Sequence, residues 1–400
     1  MSGRVIVVGS VNIDLVARVP HLPHPGETVT GGSYERHHGG KGGNQAVAAA
    51  RLRRPTLFIG AVGDDTFEKE ARRALSSERV DVSMLASLPS QATGVALILV
   101  DATGENQIAV VPGANGAIEA GYVRECLARL GPLMGDVLLV CNEVPVHVVK
   151  EALVCGRAAG ATTILNPAPA IGISRSIFGL ADIVTPNRTE LATLLLTEAR
   201  RVGRKTDSAN GDTAVRARAL MEAGSEGPGV RKAAIVTLGA SGVVVLERVG
   251  SGLSAVVPPA PEPVDPCADA DQPADGDQPA GADSADHHDR AAARATPTGQ
   301  GSAVAAVPAS RAAGRSQASR GSDLRVWEVP ADLVDTIDST GAGDAFCGAL
   351  AAALAESRPL AVAVQRAVAA GALATTHVGA REGMPTAVEL EEFLAARQAV

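Results

Sequence analysis

Short apolar segments alternate with longer amphipathic segments along most of the chain. Six runs rich in Val, Ile and Leu are typical of buried strands, namely Val5–Val8, Leu57–Val62, Val137–Val140, Thr162–Leu165, Ile183–Thr185 and Ala234–Leu238. The amphipathic segments predict helices over Asn44–Leu52, Phe67–Ser77, Glu119–Leu130, Val146–Ala159, Arg188–Ala199, Thr213–Ala223, Ala345–Ala355, Leu360–Thr375 and Ala387–Arg397. Strands without a polar face that alternate with helices predict an α/β fold, in which a central, mainly parallel sheet is flanked by helices.

Two segments, 13–38 and 92–111, interrupt this alternation. Apolar and polar residues alternate in both of them, which predicts a small antiparallel sheet separate from the main one. A sheet of this kind suits a lid over a site or an interface between two copies of the chain. The alternative is a β extension without a function.

Residues 251–322 differ in composition from the rest of the chain. They contain no Phe, Tyr, Trp, Ile, Met or Lys, and they are rich in Ala, Pro, Asp, Gly, Ser and Arg. Because so little apolar surface cannot offset the entropy cost of ordering, we predict a disordered, low-complexity insertion. Its flanks, Val243–Glu247 and Leu324–Val329, are predicted neighbouring strands. The insertion is then a long loop of one domain over residues 1–400. An inert insertion is favoured, and a regulatory role is the alternative.

Composition narrows the function classes. The formal net charge is −8 and no basic patch is concentrated anywhere, which argues against nucleic acid as a partner. No apolar run approaches the ~20 residues of a membrane span, and no signal peptide precedes the first strand. The five cysteines form no C-x-x-C pair, as is typical of reduced thiols. The sequence therefore predicts a cytoplasmic protein.

The segment Asp338–Asp344 joins two glycines to a carboxylate at the start of a predicted helix. Gly341 and Gly343 permit a tight turn whose N–H groups point at an anion, and the helix dipole favours negative charge there. Asp344 would lie inside that anion site, which is what transfer of a phosphoryl group to a hydroxyl requires. The alternative is an ordinary capped helix start.

Polar residues also follow several predicted strands. Asn12 and Asp14 come after the first strand, and Glu143 follows Val137–Val140. Because ligands of an open α/β sheet bind at the carboxyl ends of its strands, these side chains are candidates for binding vicinal hydroxyls.

A glycine-rich run, Gly39–Asn44, opens the first predicted helix. It is not a P-loop, because a glycine follows Lys41. Glycines at this position suit close backbone approach to a polyol, with Asn44 binding a hydroxyl.

Two further turns are candidates for the nucleotide side. Asn187 and Glu190 suit a phosphate contact and a water-mediated Mg²⁺ contact, although the same spacing is a capping box. The turn Thr237–Gly242 borders a nucleotide or simply joins two strands.

Taken in order, these motifs resemble the ribokinase-like carbohydrate kinases over nearly all of the chain outside the insertion. The resemblance is carried by Pro25–Thr28, Gly39–Ala48, Asn166–Pro169, Thr185–Asn187 and Gly341–Asp344. It implies an ATP-dependent kinase that phosphorylates D-ribose at O5, with Asp344 as the base and with Gly341, Ala342 and Gly343 as the anion hole. The same resemblance implies sugar contacts from Asn12, Asp14, Gly40, Lys41, Asn44, Glu143 and Asp344, and ATP contacts from Asn187, Thr237, Gly239, Gly242 and Gly343.

The resemblance also implies two cations. Mg²⁺ would accompany ATP, with Glu190 acting through water. K⁺ would activate the enzyme at a site made by Asp338, Thr340, Ala374, His377 and Gly379. Gly383 stands where the family often has a serine ligand for K⁺, and Val368 replaces a polar residue near the adenine. The predicted β lid should also pair with a second copy of the chain, which gives a homodimer.

Three different functions stay open beside phosphorylation of ribose. In the first, the acceptor is another sugar, such as deoxyribose or fructose, or a nucleoside such as adenosine. Tyr34 is the only aromatic residue of the lid, and a nucleoside base needs a stacking surface, so a bare sugar is favoured. The second is a sugar-binding regulator without catalysis, and the third is an insertion that serves as an interaction arm.

Overall fold

The computed structural model describes residues 3–201, 212–222, 228–253 and 323–398, which belong to one compact unit. Apart from residues 251–253, the predicted insertion lies outside the described residues. Among the described residues, no helix combines the length and apolar character needed to cross a membrane.

The described strands form two sheets. They are β1 (Val5–Val8), β2 (Asn12–Arg18), β3 (Tyr34–Gly39), β4 (Thr56–Gly63), β5 (Val80–Leu88), β6 (Gly94–Val100), β7 (Asn106–Val111), β8 (Val137–Cys141), β9 (Thr162–Asn166), β10 (Ile183–Val184), β11 (Ala233–Thr237), β12 (Val243–Arg248) and β13 (Leu324–Val329). The larger sheet has the order β13-β12-β11-β10-β9-β8-β1-β4-β5, and the smaller has the order β3-β2-β6-β7. The predicted α/β fold with a separate small sheet is confirmed.

The helices flank the larger sheet. They are α1 (Lys41–Arg51), α2 (Thr66–Ser77), α3 (Ala114–Ala117), α4 (Ala120–Leu130), α5 (Val146–Ala158), α6 (Arg175–Phe178), α7 (Arg188–Arg201), α8 (Thr213–Met221), α9 (Ala342–Ala355), α10 (Leu360–Ala374) and α11 (Ala387–Gln398). Each of the nine predicted helices is present, with boundaries that differ by a few residues. The largest differences are at α1 and α9, which begin three residues earlier than predicted.

The larger sheet is parallel from β5 through β11, and β12 is antiparallel to both of its neighbours. Alternate residues of β1 face two different cores. Val5 and Val7 pack in one, whereas Ile6 and Val8 pack in the other. All four are fully buried because helices cover both faces of the sheet, which explains why the strand has no polar side.

β5 is a strand that the apolar pattern did not predict. Among the described strands it pairs only with β4, at the edge of the sheet, and six of its nine residues are at least partly exposed. Its sequence, VDVSMLASL, therefore carries polar residues that break the apolar run.

The smaller sheet consists of the two segments predicted to form the lid. Its outer pairs, β2–β3 and β6–β7, are antiparallel, and its central pair, β2–β6, is parallel. The sheet is joined to β1 through residues 9–11, so the first residues of β2 lie beside the carboxyl end of β1. This connection places Asn12 and Asp14 close to the carboxyl ends of the strands of the larger sheet.

Residues 251–253 belong to the packed structure rather than to a loose loop. β12 and β13 pair in register from Val243–Val329 to Arg248–Leu324, as neighbouring strands. Beyond them, Leu253 packs on the core, and its carbonyl accepts a hydrogen bond from Leu360 N at 2.9 Å.

Candidate active site

The first turns of α1 and α9 lie side by side at one end of the sheet. The two helices can pack this closely because Gly348 of α9 has no side chain. A Cβ there would lie 2.6 Å from the Gln45 carbonyl oxygen. Each helix begins at a glycine with positive φ, Gly40 at 83° and Gly341 at 79°. Two helix N-termini that converge make one region favourable for negative charge.

Asp344 lies where the two helices meet and is only 7% exposed. Its Oδ2 accepts a hydrogen bond from Asn44 Nδ2 at 3.0 Å, and its Oδ1 accepts one from Gln45 Nε2 at 3.0 Å. Gln45 Nε2 also donates to Asn166 Oδ1 at 3.1 Å. A carboxylate held by two amides keeps its remaining lone pairs free to accept a proton or a hydroxyl hydrogen.

The Gly341–Gly343 turn combines a crowded end with an open one. A Cβ on Gly341 would lie 2.7 Å from the Ala380 carbonyl oxygen, so a glycine is required there by space as well as by φ. A Cβ on Gly343 would meet nothing within 4 Å. Open space therefore borders the start of α9 beside Asp344.

Glu143 lies at the carboxyl end of β8, as predicted, and contacts the start of α1. Its Oε2 accepts hydrogen bonds from Ser10 Oγ at 2.5 Å and from the backbone N of Lys41 at 2.9 Å. The pKa of the Lys41 side chain is raised well above its usual value, chiefly by the negative charge of Asp344. Lys41 is thus a firmly cationic group between two carboxylates.

Asn12 and Asp14 lie on β2 beside this cluster. Asn12 is buried, and its Oδ1 accepts a hydrogen bond from Asn115 Nδ2 at 2.8 Å, which leaves its own Nδ2 to the site. Burial raises the pKa of Asp14 to about 6, although the nearby charge of Arg381 opposes the rise. The structure therefore brings the predicted sugar-side residues together with Asp344.

The predicted nucleotide-side residues meet at the ends of β10 and β11. Asn187 forms an isolated parallel bridge with Thr237. The backbone N of Asn187 donates to Glu190 Oε2 at 2.8 Å, and Glu190 N donates to Asn187 Oδ1 at 2.7 Å. This reciprocal pair is the capping box that the spacing also predicted.

The turn after β11 carries two glycines with positive φ. Gly239, at 60°, borders open space, whereas a Cβ on Gly242 would clash with the Val329 carbonyl oxygen. Close packing against β13 thus accounts for Gly242, and Gly239 is the one that leaves room for a ligand.

The described residues offer no group of three or more His, Cys, Asp or Glu side chains placed to hold a metal ion. Glu190 is nevertheless a suitable outer contact for Mg²⁺, which keeps several waters and binds mainly through substrate phosphates. Burial raises the pKa of Glu190, while the charge of Lys41 lowers it and that of Asp344 raises it further. Glu190 is therefore in electrostatic reach of the Asp344 region.

The loop before α9 is tied to the loop after α10. Asp338 Oδ2 accepts a hydrogen bond from Gly379 N at 2.9 Å, and its Oδ1 accepts from Thr340 N at 2.9 Å and Thr340 Oγ1 at 2.7 Å. Burial opposes ionisation of Asp338, but these hydrogen bonds outweigh it and lower its pKa. Ala374 lies at the end of α10 in the same region, as does His377, whose Nδ1 contacts Thr376.

Five polar residues of the site were missed by the sequence reasoning: Ser10, Gln45, Asn115, Asn166 and Arg381. Asn166 ends β9, so the rule that flagged Glu143 at the end of β8 applies to it equally. Gln45 directly follows a predicted site residue at a helix start. Arg381 carried no signal, because nothing in an arginine of a loop indicates that the fold will bury it.

Comparison with known proteins identifies the family of the chain. The family model described as pfkB family carbohydrate kinase matches residues 2–268 and 312–387. Ribokinase from Haemophilus influenzae is 30% identical over 395 residues, which cover 98% of this chain and 99% of that protein. Ribokinase from Schizosaccharomyces pombe is 35% identical over 260 residues, or 64% of this chain and 77% of that protein.

Solved structures show the same fold. A ribokinase from Thermotoga maritima superimposes with a TM-score of 0.69 at 26% identity, over 98% of this chain and 99% of that one. Together these matches define the protein as an ATP-dependent carbohydrate kinase with the ribokinase fold. The chain belongs to the pfkB family of carbohydrate kinases.

Proposed function

We propose that this kinase transfers the terminal phosphoryl group of ATP to O5 of D-ribose. The observation that carries the proposal is the position of Asp344, a buried carboxylate held by Asn44 and Gln45 at the meeting point of two helix N-termini. The relatives support the choice of sugar. Two proteins named ribokinase match at 30% and 35% identity. An Arabidopsis thaliana ribokinase with the same fold was solved with ribose and ATP.

In this proposal Asp344 accepts the proton of the 5-hydroxyl as it attacks. The N–H groups of Gly341, Ala342 and Gly343 stabilise the charge that develops on the transferring phosphoryl group. Asn12, Asp14, Gly40, Lys41, Asn44 and Glu143 hold the other hydroxyls. Carboxylates accept from hydroxyls, and amide and ammonium groups donate to them, so this mixture suits a polyol.

Asn187, Thr237, Gly239, Gly242 and Gly343 are proposed to contact ATP. Mg²⁺ bound with the nucleotide offsets the charge of its phosphates. Glu190 would hold that ion through water while its carboxylate also caps α7. The bridge between Asn187 and Thr237 supports this assignment, because it brings the two nucleotide-side segments into one place.

The K⁺ site is proposed at Asp338 and Thr340, with carbonyl ligands from Ala374, His377 and Gly379. A Cβ on Gly383 would clash with the Ala374 carbonyl oxygen and would lie 3.4 Å from that of Gly379. A serine would therefore require a local shift, and the proposed site relies on carbonyls and Asp338. A cytoplasmic location stays a prediction from composition.

A coupled ADP-release assay over ribose, deoxyribose, fructose and adenosine tests the proposal, run once in KCl and once in NaCl. Deoxyribose belongs in the panel because a deoxyribokinase of Salmonella typhimurium is 26% identical over 98% of this chain. We expect the highest kcat/KM with ribose, higher activity in KCl, and a phosphate on O5 by NMR of the product. A higher kcat/KM with another acceptor would contradict the ribose assignment, and equal rates in both salts would contradict the K⁺ site.

A further inference from the structure

Arg381 lies in the loop between α10 and α11 and is only 5% exposed. Its Nε donates to Asn44 Oδ1 at 3.0 Å, and its Nη2 donates to the Gly39 carbonyl oxygen at 2.9 Å. Nη1 is buried and has no hydrogen-bond partner in the described structure. Burying a charge costs several kcal/mol, and one unpaired nitrogen adds to that cost, so stability alone does not explain this arginine.

The first consequence concerns the Asn44 amide, which has one acceptor end and one donor end. Because Arg381 donates to Oδ1, the donor end of Asn44 is turned toward Asp344, where Nδ2 contacts Oδ2 at 3.0 Å. The flipped amide would set its NH₂ group against the guanidinium and its oxygen against a carboxylate. Arg381 thus determines which end of Asn44 faces the site.

The second consequence concerns charge at Asp14, which packs against the same residue that Arg381 contacts. A Cβ on Gly39 would clash with both carboxylate oxygens of Asp14, and the carbonyl of Gly39 accepts from Arg381 Nη2. Four charged or titratable groups act on its carboxylate: Arg381, Glu143, His37 and Glu382. Burial raises the pKa of Asp14 to about 6, and Arg381 provides the strongest opposing effect. The relation is mutual, because burial lowers the pKa of Arg381 to about 10 and Asp14 provides the strongest opposing charge.

The fold makes room for the guanidinium at the start of α1. A Cβ on Gly43 would clash with Nη2 of Arg381. A larger residue at position 43 would displace the arginine from the carbonyl of Gly39. The glycine run Gly39–Asn44 therefore leaves space for the Arg381 side chain as well as permitting the turn.

We propose that Arg381 is a positioning residue of the acceptor site, which fixes Asn44 as a hydrogen-bond donor and places a positive charge close to Asp14. The site then selects an acceptor with one hydroxyl that accepts from Asn44 and others that donate to Asp14. This inference rests on the proposed function, since it assigns roles within the same sugar site.

Arg381→Lys and Arg381→Gln separate the two roles. Lysine keeps the charge but not the two-pronged contact, whereas glutamine keeps a donor for Asn44 but not the charge. In the wild type, kcat/KM for the sugar should fall below pH ~6, as Asp14 protonates. In Arg381→Gln this acidic limb should move up by about one pH unit, and in Arg381→Lys it should stay in place.

The second readout is the value of kcat/KM at neutral pH. Loss of a hydrogen bond to a charged group costs about 1.5–3 kcal/mol, so kcat/KM should fall about 10- to 100-fold in Arg381→Met. The matched control is Arg366→Gln, which removes a largely buried arginine paired with Glu391 at 2.6 Å. That variant should lose some stability while the acidic limb stays where it is.

A double-mutant cycle tests whether Arg381 acts through Asn44. On an Asn44→Ala background, Arg381→Met should lower kcat much less than it does in the wild type. The proposal would be overturned if the two substitutions lowered kcat independently, so that their fold-losses multiplied in the double variant. It would also be overturned if the acidic limb of the kcat/KM profile lay at the same pH in Arg381→Lys and Arg381→Gln. Circular dichroism establishes that each variant is folded, and the Lys–Gln comparison stands by itself if Arg381→Met does not fold.

Failure of the proposed function is distinguishable from failure of this inference. If the wild type prefers another sugar, the variants are compared on that sugar. If it phosphorylates none, the proposed function fails, and the pH dependence of the unfolding free energy still reports the titration of Asp14. Arg381→Gln should then move that dependence to higher pH by the same amount, and no movement would overturn the role of Arg381.

Discussion

At the scale of single residues, the site depends on amides that hold carboxylates. Asn44 and Gln45 each donate to a different oxygen of Asp344, and Asn115 fixes the amide of Asn12 in the same way. Such contacts orient a carboxylate without neutralising it, which suits the role of proton acceptor that we propose for Asp344.

Asp344→Asn should lower kcat by about 10²- to 10⁴-fold, because an amide cannot take the proton of the acceptor hydroxyl. Sugar binding measured by calorimetry should persist within about threefold, since asparagine keeps the shape of the side chain. Asp332→Asn is the control, because its carboxylate is also largely shielded from solvent but pairs with Arg397. Near-normal turnover in Asp344→Asn would exclude the carboxylate as the base.

Asp14 should also make stability depend on pH. Burial raises its pKa from 3.8 in the unfolded chain to about 6 in the folded protein, so its ionisation opposes folding. At low pH the buried carboxyl is neutral, and the folded protein is more stable than when the group is ionised. This contribution to the free energy of unfolding is lost as the pH rises through about 6.

Relative to wild type, Asp14→Asn should therefore be more stable at pH 7.5 than at pH 5. The difference between the free energies of unfolding of variant and wild type should be about 1 kcal/mol larger at the higher pH. Urea denaturation at both pH values measures the difference. Asp101→Asn is the control, because hydrogen bonds from Thr103 and nearby backbone lower the pKa of Asp101, whereas burial raises that of Asp14. A pH-independent effect of Asp14→Asn would show that Asp14 is not perturbed.

At the scale of elements, two helix starts and one hairpin organise the chain. α1 and α9 come from opposite ends of the sequence, and their first turns form the centre of the site. β12 and β13 are neighbours although residues 249–323 separate them. Six residue pairs between the two strands fix their register. The segment that connects them therefore does not have to hold the strands together.

Replacing residues 254–322 by a Gly-Ser linker of roughly ten residues should leave kcat and KM within about twofold of wild type. The melting temperature should stay the same or rise slightly, because a shorter loop costs about 1–2 kcal/mol less to close. Residues 251–253 must be kept, because Leu253 packs on the core and accepts from Leu360 N. A fall in kcat would place the insertion in the catalytic cycle.

At the scale of the whole molecule, the smaller sheet presents apolar side chains that the described residues do not cover. Tyr34 is 62% exposed, Ile108 56% and Val110 54%, and β7 is an exposed edge strand. Open edges and exposed apolar groups favour association. The predicted homodimer through the lid stays a prediction, and this surface is its physical basis.

Light scattering should give the mass of a dimer for the wild type at micromolar concentration. Ile108→Lys combined with Val110→Asp should give a monomer, because charged groups would be buried in the interface. Val154→Asp is the control, since Val154 is 41% exposed on α5, away from the lid. A monomeric wild type would contradict the dimer.

The strands of the larger sheet could be predicted because burial on both faces removes polar residues from them. β5 could not, because an edge strand keeps polar positions that resemble a loop. In the same way Glu143 was found from its place after a strand, whereas Arg381 was not. Its burial depends on contacts with Gly39 and Asn44, more than 330 residues earlier in the chain.

By itself, the sequence determined the α/β class, the glycine turns and the residues with suitable chemistry, because those follow from local periodicity and from what glycine, carboxylates and amides can do. Only the tertiary structure decided which of them meet. It set Asp344 between Asn44 and Gln45, brought Asn187 beside Thr237, and buried Arg381 against Asn44 and Gly39. The reason is physical: hydrogen bonds and charge effects depend on distance in space, and distance along the chain does not reveal it.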